Sequence, residues 1–248
     1  MRPWSVALPT ARAVGRLGAR TFYADATDSC VDAASNRIHS VFALADGVGD
    51  SAPSAHAAQL SATTAVHADI DDPVDAVMLA QVAVRDDDAA GDACLVVARH
   101  FSDDDGDGYH IAWTGDVRAY SWDGHTLTQL TTDHSVAEYF GSRGLPVQPR
   151  MAHMVTTTVR TAGRIEVGTA TVRGPIMLLL TSDGVHKHVP HGVMGVIMRD
   201  SRDPASSLVD AAIASGGTDN ATALVVAPPS PTLDSNPTRR LRGVESAA

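Results

Sequence analysis

The chain has 248 residues, and its hydrophobic content of 44% excludes global disorder and leaves room for one sizeable packed domain. Its 19 basic and 29 acidic residues give a formal charge of −10, which excludes a general nucleic-acid binder, because such a protein needs a basic face. The most apolar run, residues 175–180, is far too short to cross a bilayer, and two cysteines, Cys30 and Cys94, cannot build a disulfide framework. Residues 1–19 read as a lead-in or first strand. A hairpin follows, with strands at 24–32 and 37–45 and a turn at 33–36. The second strand halts at Asp46-Gly47-Val48-Gly49-Asp50, a turn cluster. Residues 55–68 are Ala-rich and read as a helix, with Ser51 or Ser54 as its cap. Asp71-Asp72-Pro73 opens a second helix that carries Val74, Val77, Met78 and Val82 at helical spacing.

From residue 93 the pattern changes to short strands, at 94–98, 109–114, 117–122 and 126–130, an antiparallel meander. A short helix is expected at 134–140, loop at 141–155, and polar strands at 155–159 and 164–172. Residues 176–180 form the most apolar strand, which should be central and buried. A helix opened by Asp203-Pro204 runs to residue 214, and residues 221–226 form the last strand. From 227 on, Pro, Ser, Asn and an Arg-rich stretch read as a disordered tail, in which Arg239, Arg240 and Arg242 are solvated. Helices segregated from mainly antiparallel strands imply an α+β fold. The N-terminus lacks the long apolar stretch of a secretion signal, and both cysteines read as reduced, so a cytoplasmic protein is expected.

Nearly all the acid is aspartate and Lys187 is the only lysine, so a lone Asp carries little information here. Context singles out five. Asp46, Asp116 and Asp183 each follow an apolar strand, Asp219 lies two residues before one, and Asp25 starts the first hairpin strand. Asp-Gly and Asp-Asn pairs are ordinary turn chemistry taken singly. As an ordered set at strand ends they would repel one another without cations, and hard oxygen donors in that number suit Mg²⁺ or Mn²⁺. Gly47 and Gly184 give turn freedom, and a glycine carbonyl can also be a ligand. The run Asp103-Asp104-Asp105-Gly106-Asp107-Gly108 reads as a solvated hairpin turn, since a calcium loop needs a downstream bidentate Glu. His186, His188 and His191 read as surface or cleft histidines rather than a zinc site, lacking a fourth ligand.

Five motifs, Ala45-Asp46-Gly47-Val48-Gly49, Gly115-Asp116-Val117-Arg118, Leu130-Thr131-Thr132-Asp133-His134-Ser135, Thr181-Ser182-Asp183-Gly184-Val185 and Gly217-Thr218-Asp219-Asn220-Ala221-Thr222, occur in that order. They resemble the successive motifs of the metal-dependent protein phosphatases of bacterial type (the PPM family, type 2C serine/threonine phosphatases) over residues 15–226. The resemblance implies a four-layer α/β/β/α sandwich, two mainly antiparallel sheets flanked by helices, with residues 1–226 as the phosphatase domain. It implies Asp46 as a carboxylate bridging two Mn²⁺ or Mg²⁺ ions, the Gly47 carbonyl on one of them, and Asp183 and Asp219 as further ligands. Asp116 with Asp183 would hold a third, weaker ion. Arg20 would bind phosphate and Asp25 would contact metal-bound water, with Asp28 a rival for that role. The implied reaction is hydrolysis of phosphoserine and phosphothreonine monoesters by attack of a metal-bridging water. The implied partner is a phosphorylated protein, the target of a Ser/Thr kinase, with no nucleic acid and no membrane. The alternative is a catalytically weak phosphatase-like domain that binds phosphoproteins or regulates a partner. It is motivated by departures from the family pattern: Tyr23-Ala24-Asp25 in place of Asn-Glu-Asp, Asp50 in place of a glycine, and Thr156 in place of an Asn. Val48 stands where some eukaryotic members carry a His, while His153 and Arg160 match the pattern.

Overall fold

The computed structural model of the chain describes residues 8–32 and 39–228. One sheet has the order β1 (Thr10–Arg16), β10 (Ala221–Ala227), β9 (Met177–Thr181), β6 (Arg118–Trp122), β7 (Leu127–Gln129). The other has the order β2 (Asp25–Asp32), β3 (His39–Gly47), β4 (Ala93–Asp103), β5 (Gly106–Thr114), β8 (Gly168–Arg173). Every pairing within them is antiparallel. Helices α1 (Ala52–His67) and α2 (Pro73–Asp86) cover the second sheet. Helices α4 (Asp183–His186), α5 (His191–Asp200) and α6 (Pro204–Ala214) cover the first, and α3 (Val136–Gly141) lies in the long connection after β7.

The strand period of two builds the layers. On β3, Phe42 and Leu44 point into the space between the sheets, and Val41, Ala43 and Ala45 point toward α1 and α2. On β9, Leu178 and Leu180 face the other sheet, and Leu179 faces the α4–α6 layer. Three apolar interiors therefore separate four layers, the expected α/β/β/α sandwich, and β9 is the middle strand of its sheet. The interior under α1 is built from small side chains, with Ala43, Ala45, Ala57, Ala58 and Ala62 all fully buried, so helix and sheet approach closely.

The helix starts follow their caps. The Ser51 hydroxyl accepts from the Ser54 N–H, Asp72 accepts from Val74, and Asp203 accepts from Ser206. Several expectations change. Residues 155–159 form no strand: Val155 makes a single bridge with Ser135, and Val159 is held by its N–H on the Ala93 carbonyl and its carbonyl on Gln81 Nε2. Arg164–Glu166 is a 3-10 turn, and the strand expected from 164 starts at Gly168. The β4–β5 ladder runs out to Asp103 opposite Gly106, so the polar loop at 103–108 is a tight turn on a longer hairpin. Helix α5 was not expected at all, although Met194 and Met198, four apart, form its buried stripe. The tail expected from residue 227 starts later, because Ala227 ends β10; the expected turn at 33–36 and residues 229–248, including Arg239, Arg240 and Arg242, lie outside the described residues.

Phe42, fully buried between the sheets, tests the layering. Phe42→Ala is expected to lose about 3–5 kcal/mol in urea unfolding. Ala62→Leu is expected to lose about 1–3 kcal/mol by overpacking the close α1 interface.

Candidate metal centre

All five aspartates singled out above meet at one end of the sandwich. Asp25 starts β2 directly opposite Asp46 at the end of β3, and Asp46 is in turn opposite Cys94 on β4. Asp116 sits in the crossing from β5 to β6, that is, from one sheet to the other, and Cys94 Sγ lies 3.5 Å from its Oδ1. Asp183 opens α4 just beyond β9, and Asp219 lies just before β10, which pairs with β9. Asp28, the rival of Asp25, is three residues further along β2 and therefore on the other face; its carboxylate lies 3.3 Å from His67. Asp25 is the one of the two that reaches the cluster.

Close backbone approach brings these ends together. A Cβ on Gly47 would stand 2.4 Å from the Ser54 carbonyl oxygen, and one on Gly184 would stand 2.0 Å from the Asn220 carbonyl oxygen. Neither glycine has a positive φ, so both are required by proximity rather than by turn freedom. The Asn220 side chain accepts from the Ala24 N–H at 2.7 Å and donates to the Leu17 carbonyl at 2.8 Å, tying the β1–β2 loop to β10. Asp50 accepts from the N–H groups of Thr21 and Phe22, which fixes the loop that carries Arg20 and holds the Asp50 carboxyl below its ordinary pKa.

Each carboxylate has a different environment. Asp25 is buried, and its Oδ2 accepts from the Ser182 hydroxyl at 2.8 Å and the Thr222 hydroxyl at 2.6 Å. Thr222 Oγ1 in turn lies 2.6 Å from the Tyr23 hydroxyl, which therefore donates to it. The other Asp25 oxygen, Oδ1, is buried without a hydrogen-bond partner among the described residues. Burial pushes the Asp25 pKa up to about 7, with Asp183 and Asp219 adding to it against the two hydroxyls. Asp46 is pushed well above the carboxylate range by burial and then by Asp25, Asp183, Asp116 and Asp219.

Two cations border the cluster. Arg20 Nη2 is 2.5 Å from Asp219 Oδ2. Lys187 Nζ is 2.6 Å from Asp116 Oδ2 and 2.8 Å from Asp183 Oδ2. Burial works against the Lys187 charge, but Asp183 and Asp116 outweigh it and raise its pKa. Burial and Asp183 raise the Asp116 pKa, and Lys187 opposes them. Sequence reasoning missed Lys187, although its spacing of four from Asp183 was there to read.

The remaining motif residues take other places. Val48 is exposed at the rim and His153 is exposed in the 3-10 turn Pro149–His153. Arg160 donates to the carbonyls of Val84, Gly91 and Ala90, clasping the C-terminal end of α2. His186 is buried rather than at the surface, with Nδ1 on Thr181 Oγ1 at 3.1 Å.

With these contacts in place, no three His, Cys, Asp or Glu groups among the described residues enclose a point that could hold an ion. Asp219 and Asp183 are turned to Arg20 and Lys187 instead. The donor set nevertheless suits divalent cations: hard carboxylate oxygens, an Asp46 whose pKa four neighbouring aspartates raise, and beside them the unpartnered Asp25 Oδ1, which can meet a metal-bound water. The Asp116–Asp183 pair does not suit a further ion, because its facing oxygens are already on one ammonium.

No family model matches the chain. The serine/threonine phosphatase stp of Listeria monocytogenes is 34% identical over 126 residues, 47% of this chain and 50% of that protein, so the chain spans about half the length of the curated relatives it matches. The PPM Ser-Thr phosphatase MsPP of Mycobacterium smegmatis, solved with cacodylate, aligns over 90% of this chain and 99% of its own, with a TM-score of 0.69 and 25% identity. The catalytic domain of the phosphatase PstP, solved with two manganese ions, aligns over 89% of this chain and 98% of its own, with a TM-score of 0.71 and 22% identity. The chain thus has the fold of the bacterial PPM phosphatases and resembles that family in sequence.

The acidic end gives a pH dependence to the metal-free chain. Asp25 keeps its proton to about pH 7 when folded, but an unfolded Asp loses it near about pH 4. Between these values the folded state binds more protons, so stability falls as pH rises. Asp46 and Asp116, also raised, act in the same direction. In chelator, the urea midpoint of Asp25→Asn is therefore expected to gain on that of the parent chain as pH rises from about 4 to about 7. A constant offset between the two across that range would refute the environment assigned to Asp25.

Proposed function

We propose that the chain is a metal-dependent phosphatase that hydrolyses phosphoserine and phosphothreonine monoesters in proteins. The observation that carries this reading is the convergence of Asp25, Asp46, Asp116, Asp183 and Asp219 at one end of a PPM-type sandwich. Asp46, the Gly47 carbonyl, Asp183 and Asp219 would hold two Mn²⁺ or Mg²⁺ ions. Such ions supply an activated water and neutralise charge on the phosphoryl oxygens.

The chain's own groups do the rest. The Arg20 guanidinium borders the cluster and is over a third exposed, so its fork can leave Asp219 and take a phosphate dianion in a bidentate way. Asp25 holds or moves a proton at its unpartnered Oδ1, while Ser182 and Thr222 fix Oδ2. The buried Cys94 thiol, its pKa raised well above the ordinary value by burial and then by Asp116, stays protonated and takes no nucleophilic part. The substrate would be the phosphorylated target of a Ser/Thr kinase. No helix among the described residues is long and apolar enough to cross a membrane.

One observation favours the second reading, a phosphoprotein-binding domain with little turnover: Arg20 and Lys187 already sit on two of the proposed ligands. Phosphate release from phosphoserine and phosphothreonine peptides separates the two. Turnover is expected with Mn²⁺ and none with chelator. Asp46→Asn and Asp183→Asn are each expected to lower it by about a hundredfold or more. Retained turnover in both variants would overturn the ligand assignment, and calorimetric Mn²⁺ binding without phosphate release would favour the binding domain.

A further inference from the structure

We propose that Lys187 is a built-in cation, tethered between Asp116 and Asp183, that takes the place of a third divalent ion and limits the centre to two. This rests on the phosphatase reading above. The resemblance led to the expectation that Asp116 and Asp183 share a weaker ion, and the geometry disagrees. Lys187 Nζ stands 2.6 Å from Asp116 Oδ2 and 2.8 Å from Asp183 Oδ2, so one ammonium bridges the two oxygens an ion between them would need. The three side chains are only 14%, 4% and 18% exposed, so water does not compete for these bonds as it does at a surface pair. The remaining Asp116 oxygen faces the Cys94 thiol at 3.5 Å, whereas Lys187 engages Oδ2 of Asp183 and leaves Oδ1 for the two-ion set.

The tether is local. Lys187 follows α4, and its backbone N–H donates to the Asp183 carbonyl at 3.0 Å, so backbone and side chain both return to Asp183. An ammonium held this way is present at every metal concentration. A dissolved ion is present only above its dissociation constant. Occupancy between Asp116 and Asp183 is thus fixed by the fold and does not respond to the supply of metal.

Mn²⁺ binding to the full chain, counted by calorimetry and by elemental analysis after equilibrium dialysis, tests this. The parent chain is expected to take about two ions and no more at high Mn²⁺. Lys187→Gln is expected to gain a weaker additional ion, and Lys187→Gln combined with Asp116→Asn to lose it again. An additional ion in the parent chain, or no gain in Lys187→Gln, overturns the inference while leaving the two-ion reading intact. No ion bound by the parent chain overturns both. A second measurement does not depend on the variant folding. Lys187 is the only lysine, so ¹⁵N-lysine labelling gives a single side-chain ammonium signal. That signal is expected to persist unmoved as Mg²⁺ saturates the protein, and its displacement into the solvent-exchange limit overturns the inference.

Discussion

Like charges gathered in a partly dry site set the terms for this molecule. Two carboxylates about 4 Å apart repel by about 4 kcal/mol at the effective dielectric of a protein surface. Five of them converge here, at the end of a sandwich whose interior is otherwise apolar. Asp25 meets the constraint by keeping its proton and by accepting two hydroxyls on one oxygen. Asp116 and Asp183 meet it by sharing an ammonium, and Asp219 by pairing with a guanidinium. Asp46 pairs with no cation among the described residues, and burial together with its four aspartate neighbours keeps its proton on as well.

The fold brings these groups together because two sheets end at the same place. Ser182 and Thr222, at the ends of β9 and β10, reach across to Asp25 on β2 in the other sheet. Each hydroxyl thus joins one sheet to the other as well as shaping a carboxyl group. The glycines at 47 and 184 allow backbone to approach within contact distance at the same end, and Asn220 adds two bonds to the loop before β2. Chain segments almost 200 residues apart are held there by buried hydrogen bonds, which is what a preorganised centre needs.

Much of this was legible in the sequence. Apolar strands that stop at Asp-Gly mark both a layer and its edge, so the strand order and the five acids could be read together. The choice between Asp25 and Asp28 was not legible, because it depends on which face of β2 meets the other sheet, and that is set by register. Helix α5 was missed because Gly192 and Gly195 obscure its start and no side chain caps it, although Met194 and Met198 carry the period. Residues 155–159 looked like a strand because they are rich in Val and Thr, yet scattered bonds to Gln81, Asp92 and the Ala93 and His134 carbonyls hold that segment, with no neighbouring ladder. Tyr23, Ala24 in place of the Glu, and Asp50 were departures from the family pattern. In the fold, Tyr23 bonds the hydroxyl that serves Asp25, and Asp50 positions the Arg20 loop. Lys187 lies 71 residues from Asp116, and that half of its role exists only in three dimensions.

The two cations bordering the cluster are not equivalent, and the difference follows from exposure. The Arg20–Asp219 pair is roughly a third exposed on both sides, where ion pairs contribute about 0–1 kcal/mol and exchange readily with solvent ions. The Lys187 pairs are mostly buried, where removing one partner typically costs about 3–5 kcal/mol because a charge is left stranded. On the reading proposed above, a divalent ion or a phosphate arriving from solution would compete first for Asp219 and Arg20 and leave Lys187 where it is. The cluster thus has an exchangeable side and a fixed side. Asp183 stands on the fixed side through the oxygen it gives to the lysine.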